Sequence, residues 1–346
     1  MMATEPISII IPNRNGSSVL GDLLQSIKEQ NCGTEALEVI IIDDSSRDNS
    51  LEIVRTVYPE ALILHNGKQK GAAYSRNRGI AAAHHTWLLF LDNDVVLTPQ
   101  FISCLMREAC GVSAACFQPK ILFQDNHNAI NSTGGIANMF GYAWDRGIYE
   151  EDTGQYDERK RIFFASSAAM LIRQEDIRAV GMFDADYVYL NEDFDVGYRL
   201  KMIGRETLFI PQAVCYHRMS HTMGRDNPTV KYLMERNRMI TLLKNYEVKT
   251  LLTLSVQITK LTYAKYKTYL SRYAERKMHF VFAALKSWLW ILVHMPMILI
   301  KRRAAQRRRS VSDKTIFTMM GEYQAYFPHF SPLANETVCV KEGSIS

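Results

Sequence analysis

The sequence predicts an α/β domain built on a doubly wound sheet, followed by a helical extension. Three observations predict it. Short β-branched runs alternate with helix-compatible stretches over the first 125 residues, those runs are apolar almost throughout, and strand signals cease after about Thr229. A strand covered by helices on both faces buries all of its side chains, so it reads as a continuous apolar run and marks a parallel sheet. Ile7-Ser8-Ile9-Ile10-Ile11-Pro12 is the first such run, with a helical pattern from Ser17 to Gln30 behind it. Glu38 to Asp43 is followed by a helix from Asp48 to Val57, and Ala61 to Leu64 by one from Gly71 to His84. Trp87-Leu88-Leu89-Phe90-Leu91 then ends in Asp92-Asn93-Asp94. Residues 125 to 160 are polar and carry Gly134-Gly135, which predicts a loop or irregular excursion. The pattern resumes with a buried strand at Ser166 to Arg173, a short helix at Asp193 to Gly204 and a last strand at Thr207 to Pro211. Val230 to Tyr246 and most of Leu251 to Arg309 are helix-compatible, and a weakly ordered tail is expected from Ser310.

Composition narrows the function classes. With 346 residues, 47% hydrophobic and 22% charged, the chain buries a sizeable core and is neither disordered nor fibrous. Its six cysteines (Cys32, Cys104, Cys110, Cys116, Cys215, Cys339) show no CxxC spacing, and no secretory apolar segment precedes the first strand. Reduced thiols in a cytosolic compartment are expected. The net charge of +5 is uneven: Leu251 to Arg309 holds 13 basic residues against Glu275 alone, while the rest holds 28 basic and 35 acidic residues. That split predicts an anionic surface as partner for the basic segment, and small-molecule or metal chemistry for the acidic body.

Open α/β sheets bind ligands beyond the carboxyl ends of their strands, which is where Pro12-Asn13-Arg14-Asn15, Asp43-Asp44 and Asp92-Asn93-Asp94 fall. Two carboxylates flanking one residue at a strand end suit a hard divalent ion such as Mg²⁺ or Mn²⁺, although Asp and Asn also open turns. Asn191-Glu192-Asp193-Phe194-Asp195 places three acids within four residues. They either cap a helix or include a general base that takes a proton from an incoming hydroxyl. His217, after the last strand, is either a structural imidazole or a ligand for an ion such as Mn²⁺.

In order along the chain these segments resemble the family 2 glycosyltransferases of the GT-A fold, and within them the rhamnosyltransferase-like enzymes of bacterial surface-polysaccharide synthesis. The resemblance runs from residue 5 to about 310. It rests on Ser8 to Asn15, Ile41 to Ser50, Gly71 to Gly79, the DxD at Asp92-Asn93-Asp94, Val180 to Asp184, Asn191 to Arg199 and His217. The resemblance implies a nucleotide-diphospho-sugar transferase with a Rossmann-like mixed sheet and helices on both faces. Asp43 or Asp44 would bind the uracil or thymine base, with Pro12 and Arg14 lining the same pocket and Arg76 near the base or diphosphate. Asp92 and Asn93 would contact the nucleotide sugar, and Asp92, Asp94 and His217 would hold Mn²⁺ or Mg²⁺ at the diphosphate. Asp193 matches the family's base, Glu192 would position the acceptor, and transfer would proceed with inversion. Ser166-Ser167-Ala168-Ala169 stands where many relatives carry a glycine before a small-residue pair.

The resemblance divides the chain into a catalytic domain at 1–228, a helical basic extension at 229–310 and a tail at 311–346. Phe280, Phe282, Trp288, Leu289, Trp290 and Met295 to Ile300, flanked by Lys301-Arg302-Arg303 and Arg307-Arg308-Arg309, are interrupted by Lys286, His294 and Pro296. A spanning helix needs about 20 consecutive apolar residues, so this stretch is expected to lie in the interface of an anionic membrane. The location expected is cytoplasmic, peripheral on the inner membrane face. The expected partners are a nucleotide-sugar donor, a lipid-linked or glycan acceptor, that membrane and a second copy of the chain, with no nucleic acid. Two competing readings are a catalytically silent glycosyltransferase-like scaffold and a nucleotidyltransferase, the latter disfavoured because no glycine-rich phosphate loop with a lysine is present.

Overall fold

The structure is a computed structural model that describes residues 5–31, 37–218, 227–272 and 277–320. Strand β1 (Ile7–Asn13), helix α1 (Leu20–Lys28), β2 (Leu37–Asp43), α2 (Ser50–Val57), β3 (Leu62–His65), α3 (Ala72–Ala82) and β4 (Trp87–Leu91) follow the expected order within a few residues. Next come β5 (Val95–Leu97), α4 (Phe101–Ala109) and β6 (Cys116–Phe123). The stretch expected as a loop instead holds β7 (Asn126–Ser132), β8 (Gly135–Ala137), β9 (Ala143–Asp145) and β10 (Lys160–Ile162). β7 is polar, and β8, β9 and β10 are three residues each, with β8 pairing with β9 and bridging Phe164 at Gly135, so no apolar alternation announces them. The order continues with β11 (Ala169–Arg173), α5 (Gln174–Ala179), α6 (Glu192–Met202) and β12 (Thr207–His217). The helical part comprises α7 (Pro228–Asn245), α8 (Val248–Arg272), α9 (Lys277–Val293), α10 (Met295–Arg307) and α11 (Asp313–Phe317).

The main sheet runs β10-β12-β6-β11-β4-β1-β2-β3, with β5 on β12 and β7 on β6. Strands β1 to β4 are parallel to one another, but β11 is antiparallel to both β4 and β6. The sheet is therefore mixed, as the family resemblance implied, and not purely parallel. Strand β12 passes the expected end at Pro211 through an irregularity between Ile210 and Val214 and reaches His217. A proline has no N–H for the ladder, and a bulge is where a strand tolerates one.

Alternation along β1 builds the two cores. Ile7, Ile9 and Ile11 pack with α1, α2 and α4 on one face, while Ile10 packs with α3, α5 and α6 on the other. Helix α3 sits close because Gly79 faces the sheet, where a Cβ would overlap Ile10 Cγ2 and press on Ile42 Cδ1. Gly79→Ala is expected to destabilise the protein by about 1–3 kcal/mol through overpacking, and a denaturant midpoint at the wild-type value would refute this.

A third core joins the helical part to the rest. Phe163, Phe164, Phe194 and Tyr198 pack with Met239 and Leu242 of α7, Tyr246 at its C-terminal cap, Ile291 of α9, Ile298 of α10 and Ile316 of α11. The tail expected from Ser310 thus begins as a helix whose Ile316 is fully buried, and residues 321–346 lie outside the described ones. Cys104, Cys110, Cys116 and Cys215 are free thiols, while Cys32 and Cys339 lie outside the described residues.

Candidate active site

Carboxyl ends of β1, β2, β4 and β12 open on one edge of the sheet, and the chain places its polar side chains there because the strands themselves are apolar. At the end of β1, Asn13 is buried. Its Nδ2 donates to Ser50 Oγ at 3.0 Å and its Oδ1 accepts from Asn93 Nδ2 at 2.8 Å. Asn13 therefore ties the first strand end to Asp92-Asn93-Asp94. Pro12 is half-buried beside it, and Arg14 is exposed, with Nη1 on the Asp44 carbonyl at 3.1 Å.

The two acids after β2 separate in role. Asp44 Oδ1 accepts from Asn66 Nδ2 and the Lys70 N–H, both at 2.7 Å, and Oδ2 accepts from the Gly71 N–H at 2.8 Å. Its carboxylate closes the loop into α3. Asp43 accepts from the Ser46 N–H at 3.3 Å and stands 3.5 Å from His65 Nδ1.

Asp92, Asp94 and His217 converge. One ligand atom of each lies within 4.8 Å of the others, with His217 Nε2 3.1 Å from Asp94 Oδ1. Burial disfavours the imidazolium, but the Asp94 hydrogen bond and the charges of Asp94, Asp92 and Asp145 outweigh it and raise the His217 pKa. Two carboxylates and one imidazole suit a divalent ion such as Mn²⁺ or Mg²⁺. This donor set fits.

Arg76 on α3 joins this trio to the second acidic cluster. It is 2% exposed, and donates from Nη2 to Asp92 Oδ1 at 2.7 Å and from Nη1 to Glu192 Oε1 at 2.8 Å. Glu192 therefore stands in an ion pair at the start of α6. The three acids of that turn are sorted by their partners. Asp195 is fully buried and is paired with Arg199 at 2.6 Å and Lys244 at 2.8 Å, which hold its pKa down against burial. Asp193 makes no ion pair among the described residues; it accepts from the Phe194 N–H at 2.7 Å and, weakly, from the Ser167 N–H at 3.5 Å. Burial first, then the charges of Glu192 and Asp145, push its pKa up to about 8. A cap would hold its proton loosely, whereas a carboxyl at this value keeps its proton up to about pH 8 and accepts one readily once ionised.

Asp145 escaped the sequence reading. It ends β9, inside the stretch expected as a loop. Ser132 hydrogen-bonds its carboxyl, Oδ1 is buried with no hydrogen-bond partner among the described residues, and it faces both His217 and Asp193 electrostatically. The signal available was one acid among several in a polar stretch, and nothing in the pattern singled it out.

The glycosyl transferase family 2 pattern matches residues 8–181, half of the chain. A pre-mycofactocin glycosyltransferase of Mycobacterium tuberculosis is 27% identical over 218 residues, 61% of this chain and 42% of that protein. A PGL/p-HBAD biosynthesis glycosyltransferase of Mycobacterium bovis is 41% identical over 96 residues, 27% of this chain and 37% of that protein. The chain thus spans about two fifths of the length of these relatives. In fold it is similar to GalNAc-T7 solved with UDP, GalNAc and Mn²⁺, at a TM-score of 0.58 and 17% identity over 72% of this chain and 49% of that one. It is also similar to the mannosyltransferase PcManGT of Pyrobaculum calidifontis solved with GDP-Man and Mn²⁺, at 0.53 and 14% over 82% of this chain and 87% of that one. The fold is GT-A, and on the strength of a match that spans every strand end described above except that of β12, the chain belongs to glycosyl transferase family 2.

Proposed function

We propose that the chain transfers a sugar from a UDP- or dTDP-sugar to a hydroxyl of a lipid-linked or glycan acceptor, with inversion and with a divalent cation. The observation that carries the reading is the meeting of Asp92, Asp94 and His217 with Arg76 and with Asp193, which has no ion pair among the described residues, at one sheet edge. Asp43, Pro12 and Arg14 border the place for the base, and Asn93 is held by Asn13. Asp92, Asp94 and His217 would hold Mn²⁺ or Mg²⁺, which when bound offsets the charge gathering on a departing diphosphate. Asp193 takes the proton of the acceptor hydroxyl, whose oxygen forms the new bond to the anomeric carbon. The bond from that carbon to the diphosphate oxygen breaks, and its electron pair leaves with the nucleoside diphosphate. Glu192 holds Arg76 toward Asp92 instead of facing the acceptor alone.

Calorimetric titration with UDP and dTDP, with and without Mn²⁺, tests the reading together with nucleoside diphosphate release from a panel of UDP- and dTDP-sugars that includes dTDP-rhamnose. Metal-dependent binding and release of the diphosphate are expected. Absence of both favours the scaffold, and pyrophosphate release from a nucleoside triphosphate favours the nucleotidyltransferase.

The same reading places the protein on an anionic, cytoplasmic membrane face. Leu289, Leu292 and Val293 of α9 and Ile300 of α10 are 62–72% exposed. No single helix among the described residues is long and apolar enough to cross a bilayer, and α9 and α10 bend by 68° at their junction. Exposed apolar rows beside the exposed Arg303 and Arg307 suit burial at the headgroup boundary, whereas Lys301 and Arg302 are engaged within the protein, with Asp184 and Asp186 and with the Leu243 and Tyr246 carbonyls. Because α10 and α11 complete the third core, the test is substitution and not truncation. Leu289→Asp with Leu292→Asp is expected to lower co-sedimentation with phosphatidylglycerol vesicles at least about tenfold, and equal partitioning would refute the anchor.

A further inference from the structure

The segment leading into the base has a backbone that its own sequence does not favour. Val188, Leu190 and Asn191 have φ of 64°, 70° and 66°. A β-branched residue such as Val188 is a rare occupant of this region, and such conformations persist only where neighbours over-determine them. The neighbours are on α7. Asn237, fully buried, points its Nδ2 at the carbonyls of Tyr187 (3.1 Å), Tyr189 (3.0 Å) and Leu190 (2.7 Å). An amide nitrogen carries two protons, so the three carbonyls share them. Asn237 Oδ1 is itself fixed by Arg236 Nε at 2.9 Å and Nη2 at 2.8 Å, and Arg236 Nη2 also reaches the carbonyls of Asp186 at 2.7 Å and Tyr187 at 3.1 Å.

The segment is clamped from its other side as well. The Ala73 N–H of α3 donates to the Val188 carbonyl at 3.3 Å, and a Cβ at Gly71 would overlap that carbonyl. Lys244 of α7 bridges Asp184 at 2.7 Å and Asp195 at 2.8 Å, while Lys301 of α10 pairs with Asp184 and Asp186. The strap 184–191 thus lies between the helix that carries Arg76 and the helical extension, and it ends at Glu192 and Asp193.

We propose that Asn237 is a positioning residue: by holding the carbonyls of 187, 189 and 190 it locks the strap in its left-handed turns and so fixes where the Asp193 carboxyl stands. The inference rests on Asp193 acting as the base. It makes the helical extension part of the catalytic geometry, although none of its described residues hydrogen-bonds Asp193.

Asn237→Asp keeps the shape, removes both donors and sets a carboxylate oxygen against three carbonyls, while Asn237→Ser is a milder loss of reach. Amide hydrogen exchange, Mn²⁺-dependent UDP titration and diphosphate release from the sugar panel are measured on both. Exchange over 187–193 is expected to quicken roughly tenfold or more while that of β4 is unchanged. For the variants, kcat is expected to fall about 10- to 100-fold with the donor KM within about threefold. Unchanged exchange over 187–193 overturns the inference whatever the turnover. Unchanged kcat, or faster exchange throughout the chain in both variants, overturns it too. Failure of the base assignment is read separately, as retained turnover in Asp193→Asn.

Discussion

Asp193→Asn is expected to lower kcat by about 10²- to 10⁴-fold, the span that a positioned general base contributes, while Mn²⁺-dependent nucleotide binding survives. The amide keeps the shape and the Phe194 N–H contact but cannot take a proton. In the wild type, burial and the charges of Glu192 and Asp145 hold the Asp193 pKa at about 8. A base must be deprotonated to act, so kcat/KM is expected to rise with pH through a limb near 8, since kcat/KM reports the free enzyme. Asp145→Asn removes one of the like charges and should move that limb to lower pH. A limb that stays put in Asp145→Asn, or near-normal turnover in Asp193→Asn, would sink the assignment.

The same group makes a stability prediction with a definite sign. Its folded pKa of about 8 stands above its ordinary value of 3.8, so its favourable contribution is full below that ordinary value and is lost as pH rises through 8. Asparagine suffers no such loss. The Tm of Asp193→Asn should therefore exceed that of the wild type by a gap that widens as pH rises from about 4 to about 8 and levels off above that.

Much of this site was legible in the sequence because parallel strands covered on both faces leave a simple trace. Ile7 to Ile11 is apolar apart from Ser8, Val39 to Ile42 is apolar throughout, and both runs stop where polar residues must appear, so the strand ends at 12–15, 43–44 and 92–94 marked the cleft without coordinates. Asp193 stood in a visible cluster. Residue types alone did not separate the three acids, and the family resemblance singled out Asp193; what sets it apart physically are cations that arrive from far away in the chain and pair with the other two, Arg76 with Glu192 and Lys244 with Asp195. Asp44 shows the converse, a carboxylate in a ligand-binding motif whose oxygens close a loop. Asp145 was hidden since β8 and β9 are three-residue strands that pair with each other, too short for any period to register. The clamp on the strap was equally silent, because an Asn in a helix reads as a surface residue until its three carbonyl partners are known.

Arg76→Ala is expected to cost about 3–5 kcal/mol of folding stability, the range for removing one partner of a buried ion pair. Its guanidinium is the cation within hydrogen-bond distance of both Asp92 and Glu192, and it lies over the Phe183 ring at 5.5 Å. Alanine would leave the Glu192 carboxylate, 7% exposed, without that partner beside Asp193. Asp92 is less costly to strand because its side chain is 34% exposed, which places the expected loss at the lower end. Arg76→Lys should fall between, since an ammonium lacks the planar fork that reaches two carboxylates from one position. Two further effects separate this account from a simple packing loss. Arg76 is among the charges that lower the Asp193 pKa, so its removal should move the kcat/KM limb above 8. A cation held, as proposed, by Asp92, Asp94 and His217 would restore positive charge next to Asp92, so added Mn²⁺ should raise the Tm of Arg76→Ala by more than it raises that of the wild type. Equal Mn²⁺-induced shifts in the two proteins would mean that the guanidinium and the ion do not balance the same carboxylate, and the bridge from α3 to the metal ligands would then be structural alone.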